Sequence, residues 1–372
     1  MNADFQRLMS LAAEQTRGGD LVGAAATLKA ALSGSSPPVP SDGRVADPDV
    51  IDVEARLVDD EACASGGPGE QAPAPEGRPA AHQAERFVAG THAASRTSID
   101  YKLYIPPGDA AVPRPLLLML HGCTQNPDDF ANGTRMNELA RQHGWLVLYP
   151  AQTQKANPQR CWNWFKHTHQ QRDRGEPAVL SALVRHVMDT HPVDPNRVHV
   201  AGLSAGGAMA AILGQAYPDL FASVGVHSGL PCGVATDVTG ALALMRDGQG
   251  MPAVRQATPV RAPAVPTIAF HGTRDTTVHP LNGERVIAAA VQGRHSEPQV
   301  ERGRAGGRAY TRTIHVAPDG CALAELWLIE GAGHAWSGGS PRGSYADAQG
   351  PDAAEHMLRF FAAHPRSPHR AP

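Results

Sequence analysis

Val198–Leu213 reads VHVAGLSAGGAMAAIL. A short apolar run from Val198 gives way to Gly202-Leu203-Ser204-Ala205-Gly206, and a run of small, helix-forming residues follows. A plain turn accounts for glycine and serine in such a place, since glycine reaches backbone angles other residues resist and serine is at home in turns. The strand before and the helix after support a sharper reading. At a strained strand-to-helix turn a serine hydroxyl is pushed into the open, and flanking glycines leave room for neighbouring backbone. On that reading Ser204 is a nucleophile. The rest of the chain must then supply a base, an acid and an oxyanion site in a set order.

The chain has 372 residues and a formal net charge of -3, so no strong field draws nucleic acid or an anionic membrane. No nucleic-acid partner is expected. Five cysteines are too few and too scattered for a disulfide scaffold, and no CxxC pair points to zinc. The amino terminus has no basic start followed by a continuous apolar run, and no later stretch has the length of a spanning helix. The expected location is therefore the cytoplasm, with no transmembrane segment.

Three regions are expected. In residues 1–33, Phe5, Leu8, Met9 and Ala12 share one helical face, and Leu21, Ala25, Leu28 and Leu32 share another after Gly18-Gly19-Asp20. They read as a pair of short amphipathic helices whose partner the sequence does not name. Residues 34–86 are rich in Pro, Gly and Ala with no apolar period, the composition of a disordered linker. Residues 87–366 read as one catalytic domain. Expected strands are Tyr101–Ile105, Leu116–His121, Trp145–Tyr149, Arg197–Ala201, Phe221–Val226 and Thr267–His271. Tyr310–Val316 and Ala324–Glu330 flank the Pro318-Asp319-Gly320 turn as a hairpin. Expected helices are Asp129–His143, Ala178–Thr190, Ala205–Tyr217, Asn282–Gln292 and Asp352–Ala363. Strands that are apolar throughout, alternating with amphipathic helices, imply an α/β fold: a mostly parallel sheet covered on both faces. Reactive groups then gather past the carboxyl ends of the strands.

A serine hydroxyl needs a base within hydrogen-bond reach, and the base needs a carboxylate to hold its tautomer and stabilise its charged form. The chain order for this type of turn is Ser, acid, His. Two downstream stretches fit. PTIAFHGTRDTTVHP carries Asp275 just past an apolar strand, and LWLIEGAGHAWSGG carries His334 between glycines past the last one. Asp237 and Asp247 compete for the acid but fall in a helical insertion. His271, His279 and His315 compete for the base but lie outside any glycine-framed loop after the final strand. The expected oxyanion donors are the N–H of Ala205, after the nucleophile, and the N–H of Cys123 in His121-Gly122-Cys123-Thr124, which follows a strand directly.

HGCTQ, CWNWF (Cys161–Phe165), GLSAGG, HGTRD and GHAWSGG together resemble the polyhydroxybutyrate depolymerase family of esterases, within the α/β-hydrolase superfold, whose relatives include feruloyl and acetylxylan esterases. The resemblance covers about Phe87 to Phe361. It implies Ser204 as nucleophile, Asp275 as acid and His334 as base, in a serine ester hydrolase working through an acyl-enzyme with no metal and no cofactor. The secreted depolymerases carry a signal peptide and a polymer-gripping domain. This chain shows neither, so the expected substrate is a small soluble ester or a hydroxyalkanoate oligomer. A feruloyl or acetylxylan esterase, and a serine peptidase on the same fold, stay open as alternatives.

Trp164, Phe165 and Trp336 are expected to line an acyl or alcohol pocket, because aromatics in loops past strand ends suit one. His167 and His169 in KHTHQQRDR resemble a metal pair, but the segment is polar and lacks a third ligand, so a solvated loop is expected. Cys123 and Cys161 follow neighbouring strands, and a disulfide between their loops is a further expectation, one that a reducing cytoplasm opposes.

Overall fold

The computed structural model describes residues 82–94, 97–248 and 265–366. The helix pair expected in residues 1–33, and the linker expected in 34–86 up to residue 81, lie outside the described residues. The domain itself is a ten-stranded sheet with helices on both faces. Its strands are β1 (Arg86–Ala94), β2 (Thr97–Ile105), β3 (Arg114–Leu120), β4 (Leu146–Pro150), β5 (Val193–Leu203), β6 (Ser223–His227), β7 (Thr267–Gly272), β8 (Glu297–Ala305), β9 (Arg308–Val316) and β10 (Ala322–Ile329). The helices are α1 (Pro127–Thr134), α2 (Met136–His143), α3 (Gly175–Thr190), α4 (Ala205–Ala216), α5 (Val238–Asp247), α6 (Leu281–Val291) and α7 (Ala353–Ala363). The strand order across the sheet is β8-β9-β10-β7-β6-β5-β3-β4-β2-β1.

The run Leu116–Leu120 shows why a strand here is apolar throughout. Leu116, Leu118 and Leu120 enter one core with Leu180, Leu183 and Val184 of α3 and Met209, Ile212 and Leu213 of α4. Leu117 and Met119 point the other way, into a second core with Phe130, Met136 and Leu139 of α1 and α2 and Met357, Leu358 and Phe361 of α7. Each fully buried large apolar side chain contributes about 2 kcal/mol, and a strand buried on both faces draws on that gain at every residue. The strands β10, β7, β6, β5, β3 and β4 pair in parallel, so their carboxyl ends share one rim. The outer pairs, β8 with β9, β9 with β10, β4 with β2 and β2 with β1, are antiparallel.

Several expectations are met with shifted ends. The hairpin forms with Tyr310 opposite Ile329. The single helix expected over Asp129–His143 is instead two, because Arg135 adopts a φ of 56° and breaks the ladder between α1 and α2. Asn126 caps α1, accepting from the Asp129 N–H, with Pro127 in its first turn. Two strands carry no sequence signal. β1 and β8 lie at the two edges of the sheet and are largely exposed, so neither face of EPQVERGRA needs an apolar period. Pairing also begins ahead of Phe87: His82–Gln83 pairs with Gly108–Asp109, within the stretch expected as linker. No helix of the described residues is long and apolar enough to cross a membrane.

Three of the wholly buried histidines, His121, His199 and His227, are held neutral by the fold. Burial pushes His121 down to about 4 against the opposing bond to the Gly122 carbonyl. Burial, aided by Arg197 and His364, takes His199 to about 3, and burial with the nearby His271 and His334 does the same to His227. An unfolded chain takes up these protons from about pH 6.5 downward, whereas the folded chain stays neutral at those rings until much lower pH. Folding therefore loses about 1.4 kcal/mol per histidine for each pH unit below about 6.5. The melting temperature is expected to fall steadily between pH 7 and pH 5 in calorimetry; a melting temperature flat over that range contradicts neutral burial of these rings.

Candidate active site

The turn that opens the sequence reading is strained as that reading requires. Ser204 stands between β5 and α4 with a φ of 59° and a ψ of -118°. Non-glycine residues adopt positive φ at a cost of order 1–3 kcal/mol. Its glycines are needed for close approach. A Cβ on Gly202 would lie 2.4 Å from the Gly206 backbone, and one on Gly206 would lie 2.0 Å from the Leu120 carbonyl oxygen. Leu120 ends β3, so Gly206 lets α4 begin directly against the neighbouring strand. Ser204 donates its N–H to the His227 carbonyl, 2.8 Å away, which ties the turn to the end of β6.

Asp275 follows β7 and His334 follows β10. His334 Nδ1 lies 2.7 Å from Asp275 Oδ2. Asp275 Oδ1 accepts from the N–H groups of Thr277 and Val278, at 2.9 and 2.8 Å. The carboxylate is sealed from solvent, and the imidazole side chain is 11 % exposed. Burial alone would raise the Asp275 carboxyl; the charge on His334 and hydrogen bonds from His271 and His334 outweigh it and hold the group below the usual carboxylate range. Asp275 is thus ionised, and it fixes Nδ1 as the protonated nitrogen of His334, leaving Nε2 as the basic atom.

Two contacts carry the His334 loop back across the rim. Gly331 donates to the Thr273 hydroxyl at 2.9 Å, and the Arg274 N–H reaches the Ala332 carbonyl at 2.9 Å. A Cβ on Gly272 would meet that carbonyl at 2.3 Å, so only glycine admits the loop. Further on, Ser337 donates its N–H to His227 Nε2 at 3.0 Å. His227 therefore bonds both the turn of Ser204 and the loop of His334, through its carbonyl and its ring respectively. Sequence reasoning missed it. The only trace is a histidine at the end of the strand SVGVH, which reads equally well as core.

The loop after β3 is held from several sides. His121 Nε2 accepts from the Gln152 N–H at 3.1 Å, so Nδ1 carries the hydrogen and donates to the Gly122 carbonyl at 2.7 Å. Trp162 Nε1 donates to the His121 carbonyl at 3.1 Å. Gly122 N–H donates to Gln125 Oε1, and Thr124 N–H to the Gln159 carbonyl. The Cys123 amide stands between these two. Thr124 has a φ of 68°, so strain marks this loop too. Tyr345, with a φ of 51°, closes the opposite side. Its ring meets His334 edge-on at 6.4 Å, and its hydroxyl is 3.5 Å from the Thr124 hydroxyl. Gln125 closes the HGCTQ stretch but no role was read from it, and Tyr345 lies outside every motif.

The expected aromatic pocket needs correction. Trp336 is 1 % exposed, stacked on His227 at 5.1 Å and edge-on to Phe130 at 5.6 Å. It is a core residue beneath the rim, and its backbone N–H donates to the Tyr345 carbonyl. Trp164 is likewise buried, edge-on to a half-buried Phe165 at 5.8 Å. Phe165 alone of the three keeps appreciable free surface. The competing acids are engaged elsewhere: Asp237 caps α5 and Asp247 pairs with Arg246. His167 and His169 lie in a short 3-10 turn, with His169 Nδ1 3.4 Å from Glu176. Among the described residues no group of three metal-capable side chains converges.

Comparisons with known proteins bear on this arrangement. The sequence model described as Esterase PHB depolymerase matches residues 99–295. The chain is 30% identical over 229 residues to poly(3-hydroxyalkanoate) depolymerase C of Paucimonas lemoignei, covering 59% of this chain and 54% of that one. It is 31% identical over 256 residues to poly(3-hydroxybutyrate) depolymerase of Ralstonia pickettii, covering 63% and 51%. The chain thus spans about half the length of these two relatives. It is 29% identical over 206 residues to feruloyl esterase B of Thermothelomyces thermophilus, covering 51% and 69%. The solved structure of an acetyl xylan esterase from Aspergillus awamori superposes with a TM-score of 0.57 at 19% identity, over 75% of this chain and 99% of that one. That likeness shows the shared α/β-hydrolase fold.

Cys123 and Cys161 are joined by a disulfide across 38 residues of sequence. Closing a loop of that length removes about 4 kcal/mol of chain entropy from the unfolded state, in the loop-entropy account. Thiol titration of the denatured protein is expected to find two more thiols per chain after reductant than before; an unchanged count contradicts the bond.

Proposed function

The chain belongs to the esterase PHB depolymerase family, and we propose that it is a serine carboxylic-ester hydrolase in which Ser204, Asp275 and His334 form the catalytic triad. The observation that carries this reading is the bond between His334 Nδ1 and Asp275 Oδ2, made at the same rim as the strained turn of Ser204. The family match ends at residue 295, short of His334, so the base rests on geometry and on its glycine-framed loop.

In this mechanism Ser204 Oγ attacks the ester carbonyl carbon while His334 Nε2 takes the hydroxyl proton. The carbonyl π electrons move onto oxygen. The N–H groups of Cys123 and Ala205 receive that charge, each contributing about 3 kcal/mol by analogy with single-donor deletions. The first turn of α4 has free N–H groups and the positive end of the helix dipole, which suits Ala205 to the task. Collapse breaks the ester C–O bond, and the leaving alkoxide takes the proton from His334. Water then attacks the acyl-enzyme by the same route and releases the carboxylic acid with Ser204 restored.

For substrate, similarity to two depolymerases supports hydroxyalkanoate oligomers or small soluble esters. A second reading, a feruloyl or acetylxylan ester, is favoured by the larger share of the feruloyl esterase that this chain covers. The Cys123–Cys161 bond supports work in an oxidising compartment over the cytoplasm.

Ester turnover on p-nitrophenyl butyrate is expected to fall on the order of 10⁶-fold in Ser204→Ala and roughly 10³–10⁴-fold in Asp275→Asn, with the melting temperature of Ser204→Ala unchanged. Retained activity in Ser204→Ala, or a loss in Asp247→Asn in place of Asp275→Asn, contradicts the triad. A panel of hydroxybutyrate oligomers, methyl ferulate, acetylated xylan and a peptide anilide ranks the substrate classes.

A further inference from the structure

His271 is the penultimate residue of β7, four residues before Asp275, and its ring is completely buried. Its Nε2 lies 2.8 Å from the Val278 carbonyl oxygen and 3.4 Å from Asp275 Oδ2. A carbonyl only accepts, so the hydrogen is on Nε2 and faces both oxygens. Among the described residues Nδ1 has no hydrogen-bond partner. A Cβ on Gly283 would lie 3.0 Å from that nitrogen, so α6 seals the far side of the ring. A closed circuit results. Val278 N–H donates to Asp275 Oδ1, the Val278 carbonyl accepts from His271, and the same His271 N–H reaches Asp275 Oδ2.

We propose that His271 is a positioning residue for the acid, sharing its Nε2–H with Asp275 Oδ2 so that the carboxylate stays oriented toward His334. The proposal rests on the reading of Asp275 and His334 as acid and base. The carboxylate is sealed from bulk solvent, so each protein donor counts. His271 also keeps one turn, Asp275 to Val278, from rotating the carboxylate away from the imidazole. The titratable groups bearing on Asp275 are His271 from β7, His334 from the loop after β10 and His227 from β6. Loss of the His271 donor leaves the carboxylate drawing harder on the His334 imidazolium.

The test compares His271→Leu, His271→Gln and Gly283→Ala with the wild-type chain on p-nitrophenyl butyrate. In His271→Leu, kcat is expected to fall about tenfold, the low end for a hydrogen bond to a charged group. KM should hold, since no substrate contact is lost, and the acid limb of the kcat–pH profile should move to higher pH. In His271→Gln the side-chain amide nitrogen reaches about where Nε2 stood and restores most of kcat. Gly283→Ala presses on the ring from the far side and should lower kcat at unchanged KM, which keeps the test open if His271→Leu does not fold. Wild-type kcat and pH profile in a folded His271→Leu, or equal impairment of the Gln and Leu variants, overturns the proposal. Failure of the triad itself is seen separately, as an active wild type whose turnover survives Asp275→Asn.

Discussion

The bond between His334 and Asp275 joins two loops that leave neighbouring strands of the sheet. It is short, shielded from solvent and charge-assisted, and it is costly to build. A buried carboxylate without partners would take up a proton; this one stays ionised because four N–H groups surround it, two from its own turn and two from histidines. The arrangement orients the imidazole and sets which nitrogen is basic. Remove the carboxylate and Nδ1 of His334 loses the acceptor that fixes its tautomer.

The sheet makes this meeting possible. Asp275 and His334 leave β7 and β10, which are adjacent, but Ser204 leaves β5, two strands from β7. Strands lie about 4.8 Å apart, so the loop after β10 must travel inward over β7. Gly272 admits it by offering no Cβ, and Ser337 anchors it to His227 on β6. His227 in turn accepts the Ser204 N–H. The buried His227 is thus part of the framework that holds these loops. His121 performs a comparable service for the loop after β3, joining Gln152 to Gly122 around the Cys123 amide.

Much of this was legible in the sequence where a single physical rule dominates. The apolar run of β3, the glycines around Ser204 and the aspartate and histidine past strand ends each follow from burial, close approach or turn geometry. What escaped was set by tertiary context. The edge strands β1 and β8 are largely exposed, with Phe87 the side chain of β1 that packs on a core, so an apolar period does not mark them. The break at Arg135 leaves the apolar period of α1 and α2 nearly intact and shows only in backbone angles. Trp336 lies two residues from His334 yet faces the core, stacked on His227 and edge-on to Phe130. Proximity in sequence to a reactive residue is therefore a weak guide to proximity in the site.

The claim on which the rest turns is that Ser204 is activated by this dyad. Treatment with a fluorophosphonate, which phosphonylates an activated serine with loss of fluoride, followed by mass mapping of the peptides, tests it most directly. The account predicts one adduct per chain, on the peptide containing Ser204. An adduct on another serine, or no adduct on a preparation that hydrolyses esters, contradicts it.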